Sequence, residues 1–441
     1  MLLEFRAANY RSFNDEFVFS LIPAPKQKGL DYSIMEKSIG KKTFRGLCSA
    51  VIYGPNASGK TNVIGAMDAF KSIVLRGNIR NDIDDVEPNP AAGTLELIPN
   101  SRCESTSPVE FSISFIVDAY HIEYGFSAYI GGFLETESNR KILSESLKIN
   151  GNIIFSRDEG LEFGSLNTIQ DYFINAFEQN ADSAIALARS NLNEEELFLT
   201  NGFRTMFSAK VVSFITDWLD KKFMVIYRAN SMRLIRKFSD PRKKSIYIEK
   251  TTNEAVSYFG VNSNKLGYLL DNDNDDAKLF SLFESNGNKG MAIPADLFES
   301  FGTIRFVNVF PLVVSSLLNG GTLVVDEFDA SIHPMALMSI INIFHNDDIN
   351  INNAQLVFNT HNPIFLNANL FRRDEIKFVE RDDETHFSTL YSLSDFGTAG
   401  KNGVRKNEDY MKNYFVDRYG AIKDINFTPI FEALMEGWKE V

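Results

Sequence analysis

The stretch Ala50-Val51-Ile52-Tyr53-Gly54-Pro55-Asn56-Ala57-Ser58-Gly59-Lys60-Thr61-Asn62 runs from an apolar strand through a glycine-bounded loop into the start of a helix. It matches G-x-x-x-x-G-K-[ST] at every fixed position, the spacing of a phosphate-binding loop. Gly54 and Gly59 let the backbone curl with its N–H groups inward, Lys60 reaches the β- and γ-phosphates, and Thr61 offers a hydroxyl to Mg²⁺. Asn56, Ala57, Ser58, Gly59, Lys60, Thr61 and Asn62 are therefore the candidate residues for holding the phosphates of a nucleotide. A chain organised on such a loop is expected to build an α/β sheet with the loop at its C-terminal edge.

Gly321-Thr322-Leu323-Val324-Val325-Asp326-Glu327 is an apolar strand ending in two carboxylates. Phosphoryl transfer needs one acid on the metal and another group to orient the attacking water, so Asp326 is assigned to Mg²⁺ and Glu327 to the water. A further apolar run, Leu356-Val357-Phe358-Asn359, leads into Thr360-His361. A histidine at the end of a strand in the same sheet faces the ligand edge, where its imidazole can hydrogen-bond a γ-phosphate. Upstream, Glu299-Ser300-Phe301-Gly302-Thr303 begins a helix, with Ser300 as N-cap and Gly302 permitting close backbone approach.

With 441 residues, 44% hydrophobic and 12% aromatic, the chain can bury a large core, and its pattern reads as two structural units around one nucleotide-binding domain. Residues 1–167 are expected to form the N-terminal part of that domain. They read as a hairpin over 1–21, a connecting loop over 22–46, a buried strand over 47–53 and a helix over 61–75. An antiparallel meander over 109–156 follows, signalled by strict alternation from Val109 to Val117 and by the Asn150-Gly151 turn. Residues 168–298 read as an inserted helical lid or arm, with amphipathic stretches at 168–189 and 204–226. The insertion holds a basic run, Arg228, Arg233, Arg236, Lys237, Arg242, Lys243 and Lys244, which is either a solvated face or a contact for nucleic acid or a partner. Asp271, Asp273, Asp275 and Asp276 lack EF-hand spacing and read as a loop. The αβ pattern returns over 299–441, with a helix at 303–318, strands at 322–325, 355–358, 375–379 and 387–393, and helices at 334–344 and 409–415.

No run of about eighteen apolar residues occurs, and Met1-Leu2-Leu3-Glu4-Phe5-Arg6 lacks a basic leader, so neither a membrane span nor a secretion signal is expected, and the cytoplasm is the expected compartment. Cys48 and Cys103 are too few for a disulfide framework or a cysteine zinc site. The formal charge of −13 excludes indiscriminate coating of nucleic acid and leaves room for a local basic groove on DNA.

In this order the motifs resemble the ABC-type ATPases of the SMC, RecF and OLD group, and more closely the RloA-like and AriA-like AAA ATPases of bacterial defence systems. The resemblance spans nearly the whole chain. It rests on Asn9-Tyr10-Arg11-Ser12-Phe13, the phosphate loop, Glu299-Ser300-Phe301-Gly302-Thr303, Asp326-Glu327-Phe328-Asp329-Ala330-Ser331-Ile332-His333-Pro334, Thr360-His361, and the tail Asn413-Tyr414-Phe415-Val416-Asp417-Arg418-Tyr419-Gly420-Ala421-Ile422. It implies an α/β, ABC-type P-loop nucleotide-binding domain with an antiparallel β subdomain and an inserted helical lid or arm. It also implies Mg²⁺-dependent ATP hydrolysis in a homodimer or higher homo-oligomer. Ser300 and Gly302 of one protomer would close on the γ-phosphate held by Lys60 of another, with Asp329 and Ser331 near the seam. OLD proteins carry a C-terminal Toprim nuclease, which needs a glutamate after one strand and Asp-x-Asp after another. Residues 375–441 offer Glu380-Arg381-Asp382-Asp383-Glu384 and no later Asp-x-Asp, so no nuclease is expected in this chain. The implied role is a sensor or switch in antiviral defence that controls a separate effector, a nuclease among the candidates. The competing expectation is a RecF-like ATPase of DNA repair or maintenance, with the insertion gripping duplex DNA.

Overall fold

The computed structural model describes residues 1–25, 27, 29–81, 93–102, 107–136, 138–173, 180–227, 245–247, 250–258, 265–270, 277–285, 288–398, 403–405 and 408–439. The basic run from Arg228 to Lys244 and the aspartates from Asp271 to Asp276 lie outside them.

The chain opens with β1 (Leu2–Ala8) and β2 (Phe17–Ser20), then β3 (Ile34–Ile39) and β4 (Lys42–Leu47), and reaches β5 (Ser49–Tyr53), the phosphate loop and α1 (Lys60–Arg76). The meander follows as β6 (Val109–Val117), β7 (Tyr120–Tyr129), β8 (Lys141–Ile149), β9 (Asn152–Arg157) and β10 (Leu161–Phe163). Next come α2 (Ala181–Ser190), α3 (Ala209–Asp217), β11 (Phe223–Ile226), β12 (Ser245–Tyr247), α4 (Lys250–Ser257), β13 (Lys265–Leu270), β14 (Ala277–Ser285) and β15 (Asn288–Pro294). The last part holds α5 (Phe301–Asn319), β16 (Thr322–Val325), α6 (Pro334–Phe344), β17 (Gln355–Asn359), β18 (Ile376–Arg381), β19 (Ser388–Ser392), α7 (Tyr410–Phe415) and α8 (Thr428–Lys439).

Among the described residues the central sheet has the order β11-β16-β17-β5-β18-β19, parallel throughout except for the antiparallel edge strand β19. Its strands are apolar on both faces because both faces are covered. Ala50, Ile52, Val324 and Val357 point into one core, and Val51, Tyr53, Leu323, Val325, Leu356 and Phe358 into the other. In the first core α1 lies between the central sheet and a seven-stranded antiparallel sheet, β10-β9-β8-β7-β6-β1-β2. Phe70 of α1 meets Phe5 edge-on and stacks on Phe126. α5 and α6 pack in the second core. α5 is long and apolar enough to cross a membrane by length and composition, yet it buries Phe306, Val307, Val309, Leu312 and Val313 in that core.

Three sequence expectations change. The connecting loop over 22–46 contains the hairpin β3–β4, turned at Gly40-Lys41. The meander is continuous with the opening hairpin, since β1 pairs with β6. The stretch 168–298 is helical only in part: among the described residues β12 to β15 form a four-stranded antiparallel sheet, and β11 joins the central sheet beside β16. Phe223-Met224-Val225-Ile226 is a short, fully apolar run, and periodicity alone cannot separate a buried strand of that kind from a helix.

Candidate nucleotide-binding site

Three neighbouring parallel strands bring the candidate residues to one edge. β5 ends at Tyr53 and runs into the loop, β16 ends at Val325 before the two acids, and β17 ends at Asn359 before Thr360 and His361. β17 lies between the other two. All three point the same way, so their C-terminal ends share the crevice where open α/β sheets bind ligands.

The loop is closed by its own residues together with two serines from elsewhere in the chain, Ser12 and Ser388. Gly59 sits at φ 111°, a left-handed conformation, and a Cβ there would lie 2.6 Å from Ser12 Oγ and 2.7 Å from Ser388 Oγ. Ser388 Oγ donates to the Ser58 carbonyl at 2.6 Å, and Asn62 Nδ2 donates to Ser12 Oγ at 2.7 Å. Asn56 and Ala57 are exposed at the tip, and Ala57 has a positive φ of 62°. The Ser58 hydroxyl is buried and has no hydrogen-bond partner among the described residues. Lys60 is 5% exposed and donates from Nζ to the carbonyls of Gly54 at 2.7 Å and Pro55 at 2.9 Å. Burial brings its pKa down from 10.5 to about 8, against the opposing pull of Asp326, Glu327 and Asp329.

Thr61 Oγ1 donates to Asp326 Oδ1 at 3.1 Å, so the helix start and the acidic strand end meet across the intervening strand. Glu327 is exposed, with its backbone at a positive φ of 49°. Thr360 Oγ1 donates to Asp329 Oδ2 at 2.6 Å. His361 is solvent-exposed, and partial desolvation together with the nearby Lys60 charge lowers its pKa below 6.5, which leaves the ring neutral at pH 7.

Ser300 and Gly302 lie elsewhere on the same edge. Ser300 caps α5 by accepting from Thr303 N–H at 3.1 Å. A Cβ on Gly302 would lie 2.2 Å from the Ser331 carbonyl, so this helix start is pressed against the segment that follows the two acids. Phe301 between them is 82% exposed.

Two residues to which the sequence patterns assign no role hold the acids in place. Arg305 of α5 donates from Nη2 to the carbonyl of Asp326 at 3.2 Å and to that of Glu327. The Asn359 amide donates from Nδ2 to Asp326 Oδ1 and accepts the Glu327 N–H at Oδ1. Asn359 is only the first of several polar residues after the apolar run Leu356-Val357-Phe358, a position that by itself assigns it no role.

The residues fit a nucleoside triphosphate with Mg²⁺. The N–H groups of Lys60 and Thr61 come before the first that bond back to Gly59, those of Asn62 and Val63; a cradle of glycine backbone precedes them, and Ser58 offers an unpartnered buried hydroxyl. Thr61 and Asp326 are hard oxygen donors of the kind Mg²⁺ takes, usually one or two protein groups together with phosphate oxygens. Beside the loop a cavity of about 510 Å³ is lined by Arg11, Ser12, Asn62, Asn100 and Phe133, among others.

A glycine-cradled loop, a lysine, a hydroxyl–carboxylate pair and a strand-end acid on one edge of a mostly parallel sheet define a P-loop ATPase domain. The chain belongs to the family described as "AAA domain, putative AbiEii toxin, Type IV TA system", whose model matches residues 49–367. No curated protein matches it. Among solved structures it is similar to the SMC head domain from Thermotoga maritima, at 13% identity over 89% of this chain and 98% of that chain, with a TM-score of 0.38. It is also similar to an SmcHead bound to the C-winged helix domain of ScpA, at 13% identity over 89% and 97%, TM-score 0.39. A third is an Smc head domain with an extended coiled coil bound to the C-terminal domain of ScpA, derived from Pyrococcus furiosus, at 12% identity over 89% and 96%, TM-score 0.40.

Proposed function

We propose that this chain binds and hydrolyses ATP, and that the cycle serves as the sensor or switch of a bacterial anti-phage defence system, acting in the cytoplasm on a separate effector protein. The observation that carries the catalytic part is the meeting of Lys60, Thr61, Asp326, Glu327 and His361 at the ends of three adjacent strands. Mg²⁺ held by Thr61 and Asp326 would neutralise charge on the phosphate oxygens. Lys60 binds the terminal phosphates, the exposed Glu327 carboxylate orients the water, and the neutral His361 ring hydrogen-bonds the γ-phosphate. Arg11, Asn62 and Phe133 face the cavity beside the loop, which suits the nucleoside.

The proposal that a second copy completes the site is supported by the position of α5. Its start, Ser300-Phe301-Gly302, is tied to the acid segment of its own chain, and it presents an exposed Phe301. Arg305 of the same helix holds the carbonyls of Asp326 and Glu327. Closure of a second copy on α5 and placement of the water-orienting acid thus share one element, the property required of a switch. The family description, with its putative toxin of a type IV TA system, supports a place in bacterial conflict.

Two measurements test this reading. The purified chain should hydrolyse ATP, and its mass in light scattering should at least double when Glu327→Gln is mixed with ATP; turnover indistinguishable from buffer, with no nucleotide bound, contradicts the catalytic part. Co-purification with the product of the adjacent gene should be nucleotide-dependent, and identical recovery with ATP, with ADP and without nucleotide contradicts the switch.

A further inference from the structure

We infer that Asn359 is a positioning residue for hydrolysis, which from the neighbouring strand sets the metal-binding acid and the water-orienting acid as one unit. The inference rests on the ATPase reading above and adds to it a residue that no phosphate-loop or acid-pair motif contains.

Asn359 is the last residue of β17 and is 1% exposed. The ladder between β16 and β17 ends at Val325 opposite Phe358, so Asp326 and Glu327 lie just beyond regular pairing. Their backbone groups are nonetheless all engaged. Asp326 N–H donates to the Ile226 carbonyl of β11 at 2.9 Å, Arg305 donates to both carbonyls, and the Glu327 N–H donates to Asn359 Oδ1. The other end of the same amide donates to Asp326 Oδ1, the oxygen that also accepts from Thr61 at 3.1 Å. A planar amide has a donor and an acceptor at fixed separation, so a single side chain fixes both the rotation of one carboxylate and the backbone of the next residue. Glu327 needs such a hold, because its φ of 49° lies in the left-handed region that a residue with a Cβ seldom occupies unaided. Aspartate has the same shape and keeps the acceptor for the Glu327 N–H, but it replaces the donor with an oxygen aimed at Asp326. Alanine removes both contacts.

The test uses the full chain with Asn359→Asp and Asn359→Ala, and three readouts. These are binding of a fluorescent ATP analogue with and without Mg²⁺, the Mg²⁺ concentration for half-maximal ATPase activity, and the thermal unfolding transition. The expected result for Asn359→Asp is metal-free nucleotide affinity within about threefold of the wild type, a Mg²⁺ requirement raised about tenfold or more, and kcat lowered about 30-fold, with a cooperative unfolding transition retained; effects of this size follow when a partner that orients a metal ligand is lost. Asn359→Ala should behave alike, and if it fails to fold, Asn359→Asp decides alone. Wild-type Mg²⁺ dependence and kcat in Asn359→Asp overturn the inference while leaving the ATPase reading intact. Equal loss of metal-free binding and of the unfolding transition in Asn359→Asp overturns it too, since that is what a purely structural asparagine predicts. If the wild type binds nucleotide without hydrolysing it, the ATPase reading fails, and the Mg²⁺ effect on binding still decides the role of Asn359.

Discussion

The phosphate loop and the acid pair face one another across a single strand, yet they are built by opposite means. The loop takes its shape chiefly from consecutive residues, with Ser12 and Ser388 closing on it from outside: Gly59 supplies the left-handed turn, and Lys60 bonds to carbonyls five and six positions back in its own loop. The acid pair takes its shape from a distance, from Ile226 on one flanking strand, Asn359 on the other, Arg305 on α5 and Thr61 at the head of α1. A site half of which is written locally and half assembled by the fold should fail in two distinguishable ways. Damage to the loop abolishes binding, whereas damage around the acids spares binding and slows the chemistry.

The largest effect should come from Lys60→Ala, which removes the charged donor to the phosphates. Charge-assisted bonds of about 3 kcal/mol predict roughly a 100-fold loss of ATP affinity, readable by calorimetry. Next is Gly302→Ala. Its Cβ would strike the Ser331 carbonyl, so the helix start must shift, and turnover should fall about tenfold or more with nucleotide affinity in the isolated chain unchanged. Arg305→Ala should lower kcat about tenfold with little change in KM, because it releases the backbone of the acids without touching the loop. The smallest effect is a pH dependence carried by Lys60. As pH rises through about 8 the ammonium loses its proton and ATP affinity should decline toward a tenth per unit, a trend that Lys60→Arg should flatten. Stability should move the other way. The unfolded chain keeps that proton up to about 10.5, so between about 8 and 10.5 it binds more protons than the folded chain, and this group's contribution to unfolding free energy rises with pH. Affinity and stability that fall together over that range would contradict the assignment.

The same contrast explains what the sequence made legible. The strand–loop–helix around Gly54 to Thr61 needed no tertiary information, and β16, β17 and α6 were equally readable because an apolar run bounded by polar residues has one natural reading there. Phe223 to Ile226 was not, since a short apolar run after an amphipathic helix reads as its continuation until β16 offers it a partner. The hairpin β3–β4 was hidden by Pro23, Pro25 and a lysine-rich composition, although Gly40 sits at its turn. Within the site, Asp326 and Glu327 were visible as acids at a strand end, but nothing in their neighbourhood names Arg305 or Asn359, whose role exists only once α5 and β17 flank β16. Gly302 was readable as a place of close approach; the surface it approaches, Ser331, was not.

The most direct test of the site as a whole compares Lys60→Ala with Glu327→Gln in one experiment. Each protein is mixed with radiolabelled ATP and Mg²⁺, passed quickly through a desalting column, and the retained nucleotide is identified as ATP or ADP. Lys60→Ala should retain no nucleotide, Glu327→Gln should retain uncleaved ATP, and the wild type should retain mostly ADP. ADP retained by Glu327→Gln at the wild-type level would contradict the assignment of Glu327 and with it the two-part construction of the site.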